Sequence, residues 1–194
     1  MNIKSEIITA IKAFIGFSIL LGIIYPLTIT GIAQIAMPYQ ANGSLIKENS
    51  KIIGSTLIGQ KFDSPKYFQG RPSAAGKGYD ATSSGGTNLG PSSKKLIDQV
   101  ADKVKQARTE NNIPQNKSVP ADMVLTSASG LDPHISVQNA MLQAARVSKL
   151  NNIPEDRVKI LIAKNTDPDF IGIWGQSGVN VLKLNIALDN LSVH

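Results

Sequence analysis

Two glycines near the start of the polar part of the chain have the spacing of a phosphate-binding loop. A P-loop requires Gly-x4-Gly-Lys-Ser/Thr, because its lysine and hydroxyl hold the phosphates and magnesium. Gly54 and Gly59 have the glycine spacing, but Gln60 replaces the lysine and Lys61 comes one residue late. Because the ammonium and the hydroxyl are both missing, the sequence argues against a nucleoside triphosphatase at this position.

Asp132 and His134 are the other residues whose types suggest chemistry. A carboxylate and an imidazole can share a metal ion with a third, distant ligand. However, Asp-Pro-His is also typical of a turn that enters a helix, and Asp122 and Asp132 have no spacing that pairs them for acid–base work. We therefore predict no metal ion and no catalytic residues.

The composition excludes several further classes. The 194 residues include no cysteine, so disulfides, thiolate metal sites and a cysteine nucleophile are ruled out. The sequence contains neither a Gly-x-Ser-x-Gly elbow, nor the Asp-Lys-Thr-Gly-Thr motif of P-type pumps, nor a Thr-Val-Gly-Tyr-Gly channel filter. The net charge of +6 is spread thinly, without a basic block interleaved with aromatics, which argues against a nucleic-acid partner. The chain is thus predicted to be neither a motor nor a pore by itself.

The N-terminal region has the character of a membrane anchor. No charged residue occurs from Ala13 through Ile46, and the part up to Met37 is almost wholly apolar. A helix needs ~20 such residues to cross a bilayer. We predict a single transmembrane helix over 1–38, followed by one soluble domain over 39–194. A signal peptide is the alternative, because basic residues precede the run and small residues lie near Gly31, but its apolar region would be about twice the usual length.

Charges flanking the span predict its orientation. Lys4 and Lys12 precede the span, and the first basic residue after it is Lys47. By the positive-inside rule, the N-terminus is cytoplasmic and the soluble domain lies outside the cytoplasm, which makes this a single-pass protein of the cell membrane.

Proline and glycine residues interrupt the apolar run. Pro26 predicts a kink, whose freed carbonyl neighbouring helices or the hydroxyls of Thr28 and Thr30 satisfy. The glycines leave the helix surface thin enough for close packing against another helix. They are Gly16, Gly22 and Gly31.

The soluble part mixes helix and strand patterns, which predicts an α/β domain. The expected strands are one or two within 42–66, one at 123–126 and one at 179–188, and the expected helices are 92–108, 137–150 and 154–163. Ser92 and Ser136 are the predicted N-caps of the first two helices, and Pro154 is placed in the first turn of the third. Two long loops without periodicity lie between these elements, at 68–93 and 127–136, and the first is rich in glycine.

The two loops carry a family resemblance. Their motifs are YFQGRPSAAG at 67–76, GYDA at 78–81, SGGTNLGPS at 84–92 and SASGLDPHIS at 127–136, joined by VPAD at 119–122, by Gln143 with Arg146 and Val147, and by VNVL at 179–182. In this order they resemble the C subunit of the bacterial potassium-transporting Kdp ATPase over nearly the whole chain. Thr87, where serine is common in that family, is a small departure.

The resemblance implies an accessory subunit of an ATP-driven potassium uptake complex. Its partners would be a channel-like subunit that conducts the ion and a P-type subunit that hydrolyses ATP. A role as a catalytic chaperone, which raises the ATP affinity of the motor, is also implied. The positions that match the family's proposed nucleotide contacts are Ser84, Gly85, Gly86, Thr87, Asn88 and Gln143.

The predicted topology conflicts with that nucleotide role. Amides of a Ser-Gly-Gly turn can hold an anion, but ATP is cytoplasmic, whereas the flanking charges place the domain outside. The alternative is a cap at the ion entrance of the channel-like subunit, without nucleotide contact. Asp80 and Asp132 are then expected to satisfy turns rather than gather potassium, and Arg71 to pair with a carboxylate or with carbonyls of its loop.

Overall fold

The computed structural model describes residues 3–48, 50–168 and 175–192. The chain divides into two units, Met1–Leu45 and Ile46–His194.

The first unit is dominated by one continuous apolar helix. It consists of α1 (Ile3–Ile19), a π-helical turn (Leu20–Ile24) and α2 (Tyr25–Ala36), and the short α3 (Pro38–Ala41) follows. The 34 residues of Ile3–Ala36 are long and apolar enough to cross a membrane, and none of them is buried within the chain. At 1.5 Å per residue the helix is about 51 Å long. This agrees with a single-pass protein; a signal sequence near the N-terminus also meets this criterion of length and hydropathy.

The π-helical turn directly precedes Pro26. The amide of Tyr25 donates to the carbonyl of Leu20, five residues back, so the wider turn accommodates a proline within a helix. Thr28 and Thr30 do donate from their hydroxyls to backbone carbonyls, at 2.8 Å each. However, the acceptors are the carbonyls of Ile24 and Pro26. Neither of them is the preceding carbonyl that is left unpaired because Pro26 has no N–H, so the threonines do not have the predicted role.

The second unit opens with a hairpin and a long irregular segment. Strand β1 (Leu45–Glu48) pairs with β2 (Lys51–Ser55), which confirms strands in this region. The apolar piece around Leu57 is instead an exposed turn. Residues 56–93, all of them described, contain no helix or strand.

A small antiparallel sheet lies within the second half of the unit. Its strand order is β3 (His134–Ser136), β5 (Gly178–Asn180) and β4 (Thr166–Asp167). Ile135 lies opposite Val179 in the register, and both side chains are buried.

Helices pack around this sheet and enclose the core. They are α4 (Lys94–Asn111), α5 (Ala121–Val124), α6 (Val137–Asn151), α7 (Glu155–Lys164) and α8 (Val181–Ser192). Helix α6 packs against α4 and α7, and α7 packs against α8. The core joins one loop residue to the sheet and to α6, α7 and α8; it consists of Phe68, Ile135, Ala140, Ala144, Val147, Val158, Ile162, Val179, Val181, Leu184 and Leu188.

Two of the predicted helices are confirmed with nearly their expected bounds. Ser136 caps α6 as expected, because its hydroxyl accepts from the amide of Asn139 at 3.1 Å. Pro154 is the N-cap of α7. Helix α4 begins after Ser93, whereas the prediction made Ser92 the N-cap, and it extends to Asn111 rather than to residue 108.

The strand predicted at 179–188 is wrong over most of its length. Strand β5 ends at Asn180, and α8 follows at once. The side-chain oxygen of Asn180 accepts from the amide of Lys183 at 3.1 Å, so Asn180 starts the helix as a cap. Val181, Leu184 and Leu188 are buried, and their spacing of three and four residues fits one face of a helix. The same sequence also alternates between apolar and polar residues, which is why it resembled a strand.

The strand predicted at 123–126 is also wrong. Residues Ala121–Val124 form α5, which follows Pro120 and carries Asp122 in its first turn. Both features favour a helix start. The N–H that proline lacks would have no partner within the helix at this end, and a carboxylate interacts favourably with the positive end of the helix dipole.

Candidate functional site

Side chains from two helices hold the irregular segment 65–69, which we call the clamped segment. The side-chain amide of Asn185 on α8 accepts from the N–H of Phe68 at 2.8 Å and donates to its carbonyl at 3.0 Å. The amide of Gln143 on α6 does the same for Gln69, at 2.7 and 3.0 Å. Each side chain thus satisfies both backbone groups of one residue in a segment that lacks regular secondary structure.

Two further side chains of α6 complete this clamp. Arg146 donates from Nη1 to the carbonyls of Pro65 and Tyr67. Asn151 donates to the carbonyl of Lys66 at 2.7 Å. Successive carbonyls of the clamped segment are therefore satisfied by side chains, and the segment is bound to the surface of α6 and α8 along its whole length.

Gln143 has its full hydrogen-bonding capacity occupied. Besides Gln69, its oxygen accepts from Nη2 of Arg146 at 2.7 Å, and its nitrogen donates to Oδ1 of Asn139 at 2.8 Å. The side chain is only 2% exposed. A glutamine amide has two donors and two acceptor positions, so Gln143 acts in this structure as a positioning residue of the fold.

A second network continues from Asn139 to α5. The carboxylate of Asp122 accepts from the amide of Ser136 at 2.7 Å, from its hydroxyl at 3.0 Å, and from the side chain of Asn139 at 3.0 Å. A chain of polar contacts therefore runs from α5 through Asn139 and Gln143 to the clamped segment. Networks of this kind rigidify a core when every member is satisfied.

The two long loops are joined by an ion pair, which confirms the role expected of Arg71. Its guanidinium donates from Nη1 to Asp132 at 2.9 Å and from Nη2 to the carbonyl of Thr126 at 3.3 Å. The other oxygen of Asp132 accepts from the amide of His134 at 2.9 Å, so the carboxylate also satisfies its own turn. Asp80 likewise satisfies a turn, through the amide and hydroxyl of Thr82.

Tyr79 closes the junction between the loops. Its hydroxyl donates to the carbonyl of Arg71 at 2.5 Å, and its amide donates to the hydroxyl of Ser73. Burial, with a smaller effect of the nearby Asp132 carboxylate, raises the pKa of Tyr79 to about 12, although Arg71 opposes this shift.

Gly130 makes close contact between the loops possible. Its φ is +68°, and a Cβ there would lie 2.7 Å from both the amide nitrogen of Ala75 and the carbonyl oxygen of Gly85. Ser73 donates to the carbonyl of Gly130 at 2.6 Å. Only glycine satisfies both the backbone conformation and the space.

The structure separates the predicted nucleotide contacts into two environments. Ser84 and Gly85 both donate to the carbonyl of Ser129, at 3.0 and 2.9 Å, so this part of the loop is attached to the second loop. Gln143 is instead bound to the clamped segment. Among the described residues, the amides of Gly86, Thr87 and Asn88 have no intramolecular hydrogen bond.

The glycines with P-loop spacing have a packing role. A Cβ on Gly54 would meet the side chain of Gln60, whose amide donates to the carbonyl of Ile53. Gly59 donates to the carbonyl of Leu131 at 2.8 Å, and a Cβ there would lie 2.6 Å from the carbonyl of Asp132. The close approach of the Asp132 backbone explains Gly59, and the side chains of Gln60 and Leu182 fill the space beside Gly54, so neither glycine requires a phosphate.

His134 takes part in a polar cluster at the edge of the sheet. Its Nε2 lies 3.3 Å from Oδ2 of Asp167, and Nζ of Lys183 lies 3.7 Å from the same oxygen. Within the ranges that the structure describes, no group of three His, Cys, Asp or Glu side chains is placed to hold a metal ion.

An open groove of about 910 Å³ runs between α4, α6 and the segment 61–72. Gln143 and Asn139 border it, whereas no residue of 84–88 does. Its basic lining residues are Lys61, Arg71, Lys103, Arg146 and Lys149, and its acidic ones are Asp63 and Glu110. Burial lowers the pKa of Arg146, and the nearby Glu110 partly opposes this.

Sequence reasoning named Gln143 and Arg146 but missed Asn185 of the clamp and Asn139, which supports Gln143. Asn185 lies in the stretch predicted as a strand, and Asn139 lies in a helix that was predicted without a role for its polar residues. Asparagine is not a strong helix former and is mostly exposed in folded proteins. Two asparagines within otherwise apolar patterns were therefore the available signal of a buried polar contact.

Comparisons with known proteins agree with the family resemblance of the chain. The family model described as "K+-transporting ATPase, c chain" matches residues 7–190. A "Potassium-transporting ATPase KdpC subunit" of Mycobacterium bovis is 47% identical, with 97% of this chain and 100% of the relative covered. Proteins of the same description from Koribacter versatilis and Caldanaerobacter subterraneus are 47% and 49% identical, with 96% and 94% of this chain and 95% and 94% of the relatives covered.

The saturated contacts of Gln143 predict that it stabilises the fold. We expect Gln143→Leu to lower the free energy of unfolding by about 2–4 kcal/mol, because it leaves both backbone groups of Gln69 unpaired. Urea unfolding of the full-length chain in detergent micelles measures this. Gln138→Leu, at an exposed position of the same helix, is the matched control and should change stability by less than about 0.5 kcal/mol. Equal stability of the two variants would contradict the clamp.

The raised pKa of Tyr79 predicts an alkaline loss of stability. The folded-state pKa of about 12 exceeds the ordinary value of 10.0, so the neutral side chain favours the fold. This contribution is fully present below pH 10 and is lost as the pH rises from 10 to 12. We expect the stability difference between the wild type and Tyr79→Phe to shrink across that range in urea unfolding experiments. A difference that stays constant with pH would rule out a buried neutral phenol.

Proposed function

Because this chain belongs to the KdpC family, the c chain of the K+-transporting ATPase, we propose that it is an accessory subunit of a potassium uptake complex that neither conducts the ion nor hydrolyses ATP. The observation that carries the proposal is the family match over residues 7–190. The residues considered for phosphate, metal or nucleotide binding support a structural role instead, because Gly54, Asp132 and Gln143 each have a packing or hydrogen-bonding function.

The N-terminal helix is proposed to bind partner helices within the membrane. An added Cβ at Gly16, Gly22 or Gly31 would meet nothing within 4 Å. These thin places on the helix are therefore available for close approach by another helix, the arrangement that small residues support in membranes.

The soluble unit is proposed to lie outside the cytoplasm and to cap the ion entrance of a channel-like subunit. Lys4 and Lys12 precede the apolar run, and no basic residue follows until Lys47, which supports this orientation. The clamp and the Arg71–Asp132 pair hold the loops rigid, and a rigid surface loses little conformational entropy when a partner binds.

A catalytic chaperone that contacts ATP is the second candidate. It is favoured by the amides of Gly86, Thr87 and Asn88, which have no intramolecular hydrogen bond among the described residues and could donate to phosphate oxygens. The family resemblance also implies Ser84, Gly85 and Gln143, whose donors are bound to Ser129, Gln69 and Asn139 in this structure and would have to be released. Because ATP is cytoplasmic, this candidate requires the opposite orientation of the soluble unit.

Cysteine labelling separates the two candidates. The chain has no native cysteine, so a single one reports its own position. We expect Ser118→Cys, at an exposed position of the soluble unit, to react with a membrane-impermeant maleimide in intact cells. Ser5→Cys, which lies before the apolar run, should react only after lysis. The reverse pattern would overturn the cap and favour the nucleotide role.

Bulky substitutions in the span test partner binding in the membrane. We expect Gly16→Leu, Gly22→Leu or Gly31→Leu to weaken co-purification with the other subunits about tenfold, which corresponds to about 1.4 kcal/mol. Because an added Cβ at these places meets nothing within 4 Å in the chain itself, we attribute a loss of co-purification to a partner.

Volume-conserving changes provide the controls for this experiment. Ile15→Leu and Ile23→Leu should co-purify like the wild type. If the glycine variants also assembled normally, the span would not contact partner helices through these positions.

A further inference from the structure

The groove beside α4 and α6 is lined by more basic side chains than acidic ones. Lys61 is paired with Asp63 at 2.6 Å, and Arg71 is paired with Asp132. Lys103, Arg146 and Lys149 have no ion pair among the described residues. Glu110 is the remaining acid of the lining, and its carboxylate accepts from Gln106 at 2.7 Å.

Arg146 anchors this charge at the edge of the groove. Its guanidinium donates to Asn111, to Gln143 and to two carbonyls of the clamped segment, all of which are neutral acceptors. The hydrogen bonds therefore fix its position without neutralising it. A fixed and partly desolvated cation is a strong element of a carboxylate-binding surface, because little side-chain entropy remains to be lost.

The dimensions of the groove suit a short peptide. Its lining extends along α4 from Lys103 to Asn111 and along α6 from Asn139 to Leu150. At 1.5 Å per residue these walls are about 12 and 16 Å long. An extended backbone advances about 3.4 Å per residue, so four or five residues fill this length.

We propose that the groove receives a short acidic segment of a partner subunit in the same complex. This inference rests on the proposed function, which supplies the partner, and adds the surface and the chemistry of the contact. A nucleotide fits less well, because the unpaired cations are distributed along two helices and the amides of Gly86–Asn88 do not line the groove.

Charge reversal on the rim tests the proposal in the complete complex. We expect Lys103→Glu together with Lys149→Glu to reduce co-purification with the partner subunits about tenfold at low salt. The wild-type complex should weaken as salt rises, because screening acts on the same contacts, whereas the double variant should respond much less.

Two lysines outside the groove provide a matched control. Lys105 lies on the same helix as Lys103, and Lys164 lies in the last turn of α7 as Lys149 does in α6. Neither lines the groove. Lys105→Glu together with Lys164→Glu should assemble like the wild type, and urea unfolding should show equal stability for both double variants.

The outcomes distinguish this proposal from the function on which it rests. If the groove variant assembles like its control at every salt concentration while the wild-type complex forms, the acidic-segment proposal is wrong and the accessory role stands. If the wild type does not co-purify with the other subunits, both are wrong. Binding of ATP to the full-length chain that is lost only in the groove variant would assign the groove to a nucleotide and overturn the proposal.

Discussion

The structure depends on one constraint, which is that a segment without regular structure must have its backbone satisfied inside the fold. The buried Phe68 carries its own N–H and carbonyl into the core, where an unpaired group costs about 1–3 kcal/mol. Asn185 and Gln143 meet this requirement with one side-chain amide each. Because the amides are positioned by α8 and α6, the two helices and the segment fix one another, and the neighbouring loops are built outward from this point.

The two long loops are also held by specific polar contacts, although their side chains are less buried than those of the clamp. Arg71 and Asp132 join them electrostatically, Tyr79 adds a hydrogen bond, and Gly130 allows the backbones to touch. Arg71, Asp132 and Tyr79 have ionisable side chains, and in this structure those side chains make the loops rigid. A rigid surface of this kind agrees with membership of a family of transporter subunits. It also includes a groove in which Lys103, Arg146 and Lys149 have no ion pair within the described part of the chain.

Local patterns predicted the elements whose signals lie within a few residues. Ser136 before α6 and Pro154 before α7 each mark a helix start by their own chemistry. The residues 179–188 alternate in a manner that suits a strand and also place apolar side chains at helical spacing, so the cap formed by Asn180 decides, and that contact is invisible in a periodicity. The pairing of Gln143 with Gln69 was equally out of reach, because 74 residues separate them. The family resemblance drew attention to Gln143, but it did not indicate the role that the fold reveals.

The long sequence separation within the clamp has a consequence for biosynthesis. Phe68 and Asn185 are 117 residues apart, so the contact cannot form until the intervening chain and α8 have left the ribosome. Until then the segment around Phe68 has neither its apolar environment nor its hydrogen-bond partners, and slow non-local closure is expected to limit the rate of maturation. A chain that terminates early would lack α8 and could not complete this closure. The clamp is therefore complete only after α8 has been synthesised and has folded against the segment.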